Sequence, residues 1–320
     1  MGDLIPPAES DGIIATLTPE EYTSSVYVLN AYSNNTIAAN AGKFAIMPET
    51  TGGGGTQNWS ISDTGNLKSI IGTKIKPTAV ADIVFTDGSA MSYSDFNSLS
   101  TDFQDAKKSS AIAVIFYAGT GLNSGTGDTT YRILGTGLKQ TSALPWCRKT
   151  SDDDAANAYS FFISTIQCNY YSGSAGYYDL FGDRNGSDNL EQIGAFLEEN
   201  GSTDDTGTDE NYPAFYFGKN YKSVEGSHVA GTDYEYGWYL PSIAELQMIY
   251  VNGKGTDKLF DINAVMTSIG GDTFEDQTYK SSSDNSTIIY HYSLYLGTGN
   301  MNSSDKGTAS TAYICAIREF

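Results

Sequence analysis

Basic residues are scarce in this chain. Its 320 residues carry 18 Lys and Arg against 38 Asp and Glu, a formal charge of -20. So acidic a surface repels a phosphate backbone and an anionic bilayer alike, which disfavours nucleic-acid binding. Histidine is rarer still: His228 and His291 are the two. With no His-x-x-x-His, no Cys-x-x-Cys and no nucleophile elbow, neither zinc nor a catalytic triad has its residues. Gly52 to Gly55 lacks the lysine that a phosphate loop needs, and reads as a linker. No apolar run approaches the roughly 20 residues that span a bilayer. Met1 to Pro7 has neither a basic nor an apolar leader region, so no signal peptide is expected within it. Cysteine is limited to Cys147, Cys168 and Cys315. An odd count leaves one disulfide plus a thiol, or three buried thiols, and the apolar surroundings of Cys315 favour an inert, buried group.

What the chain has in quantity is glycine (34) and tyrosine (23), while charged residues make up 18%. Much of the surface is therefore Ser, Thr, Asn, Gly and Tyr, a composition suited to secreted proteins and adaptable binding faces. The length allows a sizeable core without disulfide or metal staples.

Several local signals agree at Gly237-Trp-Tyr-Leu-Pro-Ser-Ile-Ala-Glu-Leu246. Ser242 and Glu245 form a capping box, and Ile243, Leu246, Ile249 and Tyr250 recur at helical spacing, with Gly253 as a left-handed stop. The pattern predicts a helix over 242–252. Asp188 with Glu191, followed by Leu190, Ile193, Phe196 and Leu197 and ended by Gly201, predicts another over 188–200. Thr101 to Lys108 is a third, shorter one, with Thr101 and Gln104 as its cap. A fourth is expected over 153–164, where Asp152, Asp153 and Asp154 complement the helix dipole. Consecutive carboxylates on a helix start diverge, so no calcium cage is read there, and Asp183 to Asp188 lacks the alternating carboxylates of a calcium loop. Ile83 to Phe85 and Ala111 to Tyr117 read as buried strands, Tyr131 to Gly135 as an antiparallel return, and Ala214 to Phe217 as a strand. Residues 1–78 form a β-rich N-terminal segment, either a stalk or a module packed on the main domain, with strands at Ser25 to Leu29 and Gly42 to Met47. Residues 79–320 form the main, α+β domain.

The segment Gly237 to Leu246 resembles the Gly-Trp-x-Leu-Pro-(Ser/Thr)-x-Ala-Glu-(Leu/Trp) stretch of C-type-lectin-like domains of the formylglycine-generating-enzyme type. The ending Tyr313-Ile-Cys-Ala-Ile-Arg-Glu-Phe320 is similar to the terminus of the same group. Over residues 80–320 the chain further resembles the variable proteins of diversity-generating retroelements, most closely the treponemal kind. The resemblance implies a C-type-lectin-like fold whose two chain ends pair in one sheet. It implies a cell-surface, lipid-anchored receptor for an unknown macromolecular ligand, reaching the membrane only through a removed leader and lipidated cysteine. Enzymatic members of the fold group use two reactive cysteines near the domain end, and here only Cys315 is there. The calcium-dependent sugar motifs Glu-Pro-Asn or Gln-Pro-Asp with Trp-Asn-Asp are missing as well. No enzyme activity, cofactor or metal is expected.

The resemblance implies that Asp284 to Tyr313, just before the Ile-Cys-Ala-Ile-Arg-Glu-Phe ending, is the segment that such retroelements diversify. Only Met301 and Lys306 in it fall outside the residues that a codon ending in pyrimidine encodes, which is the alphabet of adenine-directed mutation of Asn codons. Period-two alternation sets Tyr290, Tyr292, Leu294 and Leu296 on a core face and Ile289, His291, Ser293 and Tyr295 on an exposed one. Thr298, Asn300, Asn302, Ser303, Ser304, Asp305, Thr308, Ser310 and Thr311 are the further expected ligand contacts, around Met301 as an anchor in the place of the group's Trp. Lys280 also stands where the group has Trp, which predicts weaker packing behind the site, and His291 replaces a common Ala. A fixed-specificity adhesin on the same fold, and an enzyme of the formylglycine-generating type, are the alternatives.

Overall fold

The computed structural model of the chain describes residues 46–49, 58–61, 73–74 and 76–320, apart from 126, 150–156, 171–179, 203–204 and 207. The predicted strand at Ser25 to Leu29, the glycine run and the three aspartates Asp152 to Asp154 lie outside the described residues. Of Gly42 to Met47, Ile46 and Met47 fall inside β1 (Ile46–Glu49), which pairs antiparallel with β2 (Asn58–Ile61).

The most apolar runs build the centre of one nine-stranded mixed sheet. In chain order its strands are β3 (Thr73–Lys74), β4 (Asp82–Phe85), β5 (Ala90–Ser92), β6 (Ala111–Gly119), β7 (Arg132–Ser142), then β10 (Thr278–Asp284), β11 (Tyr290–Tyr295), β12 (Asn300–Asp305) and β13 (Tyr313–Glu319). A separate hairpin of β8 (Cys168–Tyr170) and β9 (Leu180–Gly182) lies between them in sequence. The spatial order is β12-β11-β10-β13-β7-β6-β4-β5-β3. β7 returns antiparallel along β6, as the sequence predicts. β4 and β13 share the sheet without pairing, since β6 and β7 stand between them. The edge strand β3 comes from within the stretch assigned to the N-terminal segment. Continuous apolar runs such as β6 are buried on both faces, so helices and loops must cover each side of the sheet.

The helices follow their caps where caps exist. They are α1 (Tyr93–Ser98), α2 (Thr101–Lys108), α3 (Asn189–Glu199), α4 (Pro213–Lys219), α5 (Ile243–Ile249) and α6 (Ile262–Ile269). In α5 the Ser242 Oγ accepts from the Glu245 amide at 3.2 Å and the Glu245 carboxylate accepts from the Ser242 amide at 2.8 Å, the reciprocal pair expected. The helix runs on into a π-turn over Tyr250–Lys254. Gly253 is therefore not a left-handed stop: a Cβ there would lie 2.9 Å from Ile262 Cβ, so the glycine serves close packing against α6. Asp188 precedes α3 but makes no cap bond to its backbone; its carboxylate accepts from Gln192 Nε2 at 3.0 Å. Gly201, with φ +77°, ends that helix as predicted.

Two expectations fail for physical reasons, and one helix was not expected. Ala214 to Phe217 is helix, not strand: Pro213 at its first turn presets the helical φ, and Phe215 and Gly218 share the buried face. A Cβ on Gly218 would meet the Tyr239 carbonyl carbon at 2.7 Å, so the residue lets the helix lie against that backbone. The described part of the 153–164 helix is turn and a single 3-10 turn at Ser164–Ile166. There the Asn157 side chain competes with the helix, accepting from the Tyr159 amide at 2.9 Å and donating to the Arg148 carbonyl at 2.7 Å. Helix α6 has no counterpart in the sequence reading, although Asp261 caps it, Gly270 (φ +77°) ends it, and Ile262, Val265, Met266 and Ile269 have helical spacing.

The two segments that carry the family resemblance meet. Tyr239 and Ile317 exchange backbone hydrogen bonds of 2.9 and 3.0 Å, joining the Gly-Trp-Tyr-Leu-Pro stretch to the last strand. Just beyond it, Glu245 is wholly buried and gathers four donors. Its oxygens accept from Arg132 at 3.2 Å, the Tyr239 hydroxyl at 2.8 Å, the Ser242 amide at 2.8 Å and the Gly186 amide at 3.1 Å. Arg132 also pairs with Glu319 at 2.9 Å. Burial pushes the Glu245 carboxyl above its usual range, and Arg132 opposes that shift.

Candidate ligand-binding face

β10, β11 and β12 form one end of the sheet, and β12 is its edge. Residues directly opposite in neighbouring strands share a face. One rung holds Thr278, Tyr295 and Asn300; the next holds Lys280, Ser293 and Asn302; His291 and Ser304 follow. The opposite face carries Leu294 with Met301, Tyr292 with Ser303, and Tyr290 with Asp305. Leu294 and Leu296 are in the main core, and Tyr292 and Met301 pack against it, so the predicted core face is the one that meets the body of the domain.

The other face departs from its prediction. His291 and Ser293, expected in solvent, are wholly buried. The reason is that a loop and an indole cover this side of the sheet. The Trp146 ring stacks on His291 at 5.9 Å, with its Nε1 donating to the Ser281 carbonyl at 2.9 Å. His291 Nδ1 lies 2.8 Å from the Tyr292 carbonyl oxygen, and Nε2 is buried with no hydrogen-bond partner. Burial holds this imidazole well below its usual pKa, and Lys280 adds to the effect. Ser293 Oγ and Ser304 Oγ sit 2.8 Å apart.

The remaining predicted contacts divide by exposure. Thr298, Asn300, Asn302, Ser303, Thr308 and Thr311 are exposed, while Ile289, Tyr295, Ser304, Asp305 and Ser310 are half-buried. They do not form one surface. Asn300, Asn302 and Ser304 are on one side of β12, Ser303 and Asp305 on the other. Ser303 Oγ accepts from Asn285 Nδ2 at 2.6 Å, and Asp305 Oδ1 accepts from the Gly307 amide and the Thr308 hydroxyl, both at 2.9 Å. The structure does bring Ser304, Ser310 and Thr311 together. With Gln277, Thr278 and Ala312 they line a cavity of about 170 Å³. A larger cavity of about 310 Å³ lies elsewhere, between α3, α4 and Tyr236 to Leu240, and takes no lining residue from 284–313.

Sequence reasoning missed Gln277, Thr278 and Lys280 as parts of this face. The period-two pattern of β11 continues back through β10, where Thr278 and Lys280 alternate with the core residue Tyr279, and that signal was there to be followed. Lys280 does not leave a gap where the resemblance has Trp: its side chain is wholly buried, and Nζ donates to the Thr308 carbonyl at 3.2 Å. No carboxylate lies within ion-pair distance of it among the described residues. Burial lowers its pKa to about 8, with Asp305 acting in the other direction.

The base of the segment is tied by a second buried lysine. Lys306 Nζ lies 2.8 Å from Asp284 Oδ1, both side chains wholly buried, and donates to the Ala158 and Phe161 carbonyls at 3.0 and 2.8 Å. Asp284 also accepts from the Ile163 and Asn285 amides, each at 2.8 Å. Among the described residues no three His, Cys, Asp or Glu side chains gather as a metal site. No described helix is long and apolar enough to cross a membrane. The three cysteines are buried and form no disulfide.

No protein family matches the chain, and no curated protein matches it. A solved structure of a fimbrial protein from Bacteroides ovatus is similar with a TM-score of 0.48 and 17% identity, over 76% of this chain and 49% of that one. This chain thus spans about half the length of that protein, and a likeness at this level carries no argument about function.

Proposed function

We propose that this protein is a surface-displayed receptor with a C-type-lectin-like fold, whose segment 284–313 is diversified by a retroelement and binds a macromolecular ligand. The observation that carries the reading is where the two exceptions to the limited alphabet sit. Lys306 is the buried clasp on Asp284, and Met301 is half-buried against the main core. Thr298, Asn300, Asn302, Ser303, Thr308 and Thr311, all within the alphabet, are exposed. Positions that tolerate many residues are those the fold does not use. The fold assignment draws support from the backbone pairing of Tyr239 with Ile317, which joins the two motifs of the resemblance.

The test is to sequence this locus in many isolates. Differences confined to codons 285–311, at adenines of an adjacent near-identical repeat, are the expected result. Differences scattered evenly along the gene, or a constant segment with no repeat nearby, would leave a fixed-specificity adhesin instead.

A further inference from the structure

We propose that the cavity of about 310 Å³ between α3, α4 and Tyr236 to Leu240 is a second binding site, apart from segment 284–313, for a free α-amino acid with an aromatic or large aliphatic side chain. Close backbone packing fixes its walls. Gly218 lets α4 lie against the Tyr239 backbone, and Gly186 lies against the Leu240 carbonyl and the Ser242 amide. Phe215, Trp238 and Leu240, all buried, and the half-buried Leu190 supply its apolar lining. The Trp238 Nε1 donates to the Tyr234 carbonyl at 2.7 Å and the Tyr236 hydroxyl accepts from Lys222 at 2.8 Å, so these two rings offer a ligand mainly carbon.

The rest of the lining is ionic. Glu191, in the first turn of α3, and Lys219, in the last turn of α4, both line the cavity and are exposed. Among the described residues neither side chain has an ion-pair or hydrogen-bond partner, and they do not pair with each other. By contrast Lys139, Lys222, Lys254 and Lys258 each hold a carboxylate at 2.7–3.1 Å. One free charge of each sign beside an apolar wall is complementary to a molecule that carries both charges at one end and hydrocarbon at the other. A simple anion would meet Glu191 and the chain's charge of -20, whereas a zwitterion has no net charge to be repelled. An uncharged apolar ligand would cover Glu191 and Lys219 without replacing the water they lose, which is costly. The volume is at the small end of the roughly 300–1,000 Å³ of small-molecule sites, so the occupant is one compact molecule.

The experiment is a calorimetric or NMR titration of the full chain with L-phenylalanine, L-leucine and L-tryptophan, and with three relatives of tryptophan that delete its charges. Tryptamine lacks the carboxylate, indole-3-propionate lacks the ammonium, and N-acetyl-tryptophanamide lacks both. Saturable binding of at least one of the amino acids is expected, one per chain, with each loss of a charge on tryptophan weakening binding about tenfold. Lys219→Met is expected to weaken tryptophan and indole-3-propionate and to spare tryptamine; Glu191→Gln is expected to weaken tryptophan and tryptamine and to spare indole-3-propionate. Both side chains are exposed, so the variants fold, and a merely structural role would not exchange the two selectivities. No saturable binding of any of the three amino acids, binding of N-acetyl-tryptophanamide as tight as that of tryptophan, or affinities untouched by either variant overturns the proposal. Sequence variation at codons 285–311 is read separately, so the receptor reading can stand while this site falls, and the reverse.

Discussion

Asp284 and Lys306 meet at 2.8 Å in the dry base of the β11–β12 hairpin, at the two ends of the stretch that carries its exposed residues. The pair fixes where the hairpin leaves the domain without using any side chain on its outer part. Burial raises the aspartate pKa and lowers the lysine pKa, and each partner opposes the shift of the other.

Removing one partner of this clasp leaves the other charged and buried. Lys306→Met or Asp284→Leu alone is expected to lower stability by about 3–5 kcal/mol, whereas the double change restores most of the loss. Urea unfolding of the three variants checks it; a double variant that lost the sum of the two single losses would show that the pair is not coupled.

The division of the predicted contacts into exposed and buried is testable residue by residue. Asn300→Tyr, Asn302→Tyr and Thr311→Tyr are expected to change stability by less than about 0.5 kcal/mol. His291→Ala and Ser293→Tyr, at wholly buried positions, are expected to cost about 1–3 kcal/mol or more. Thermal melts that ranked the two groups alike would refute the assignment of faces.

Asp183 gives a pH signature. Burial pushes its carboxyl up to about 6 from 3.8, with the Ser124 hydroxyl bond opposing, and Oδ2 is buried with no partner. A carboxyl raised in the folded state contributes stability that is full below about pH 3.8 and lost as pH rises through about 6. Asp183→Asn should therefore flatten the stability profile between pH 4 and 6. It should leave the variant more stable than the parent at pH 7 by about 2 kcal/mol. Parallel profiles of parent and variant would rule this out.

Gly186 sits where the 184–187 turn presses on the start of α5. A Cβ there would lie 2.6 Å from the Ser242 amide and 2.8 Å from the Leu240 carbonyl oxygen, both backbone atoms. Gly186→Ala is expected to destabilise by about 2–3 kcal/mol, and to slow no thiol or ligand chemistry directly. Hydrogen exchange at the Ser242 and Gly186 amides reports whether the Glu245 cluster has opened.

The cysteines supply a check on the enzyme alternative. All three are buried, and burial pushes the Cys315 thiol up to about 12. A thiol reagent is expected to find none of them in the native protein and three after unfolding. Rapid reaction of one or two native thiols would reopen the redox-enzyme reading.

What the sequence made legible is what local rules decide. The capping box at Ser242, the apolar strand Ala111 to Tyr117 and the glycine stop at Gly201 each depend on a few adjacent residues. Tertiary contacts decided the rest. The alternation along β11 separated its two faces correctly but could not say that Trp146, far away in sequence, would cover the second one. Lys280 reads as a packing defect when compared with an expected Trp, yet its long apolar stem is buried and its ammonium finds the Thr308 carbonyl. Phe215 and Gly218 needed the Tyr239 backbone beside them before their helical spacing outweighed the aromatic, strand-like run.

As the last strand of the sheet, β12 has a ladder on one side only. A bulky or badly shaped residue at Asn300 or Asn302 can be absorbed by a local shift against β11, with no further strand to be displaced. The same substitution in β13, held between β10 and β7, would disturb two ladders at once. Change is thus confined by position: errors made at this rim stay at the rim, and the eight other strands of the sheet need not know which residues it carries.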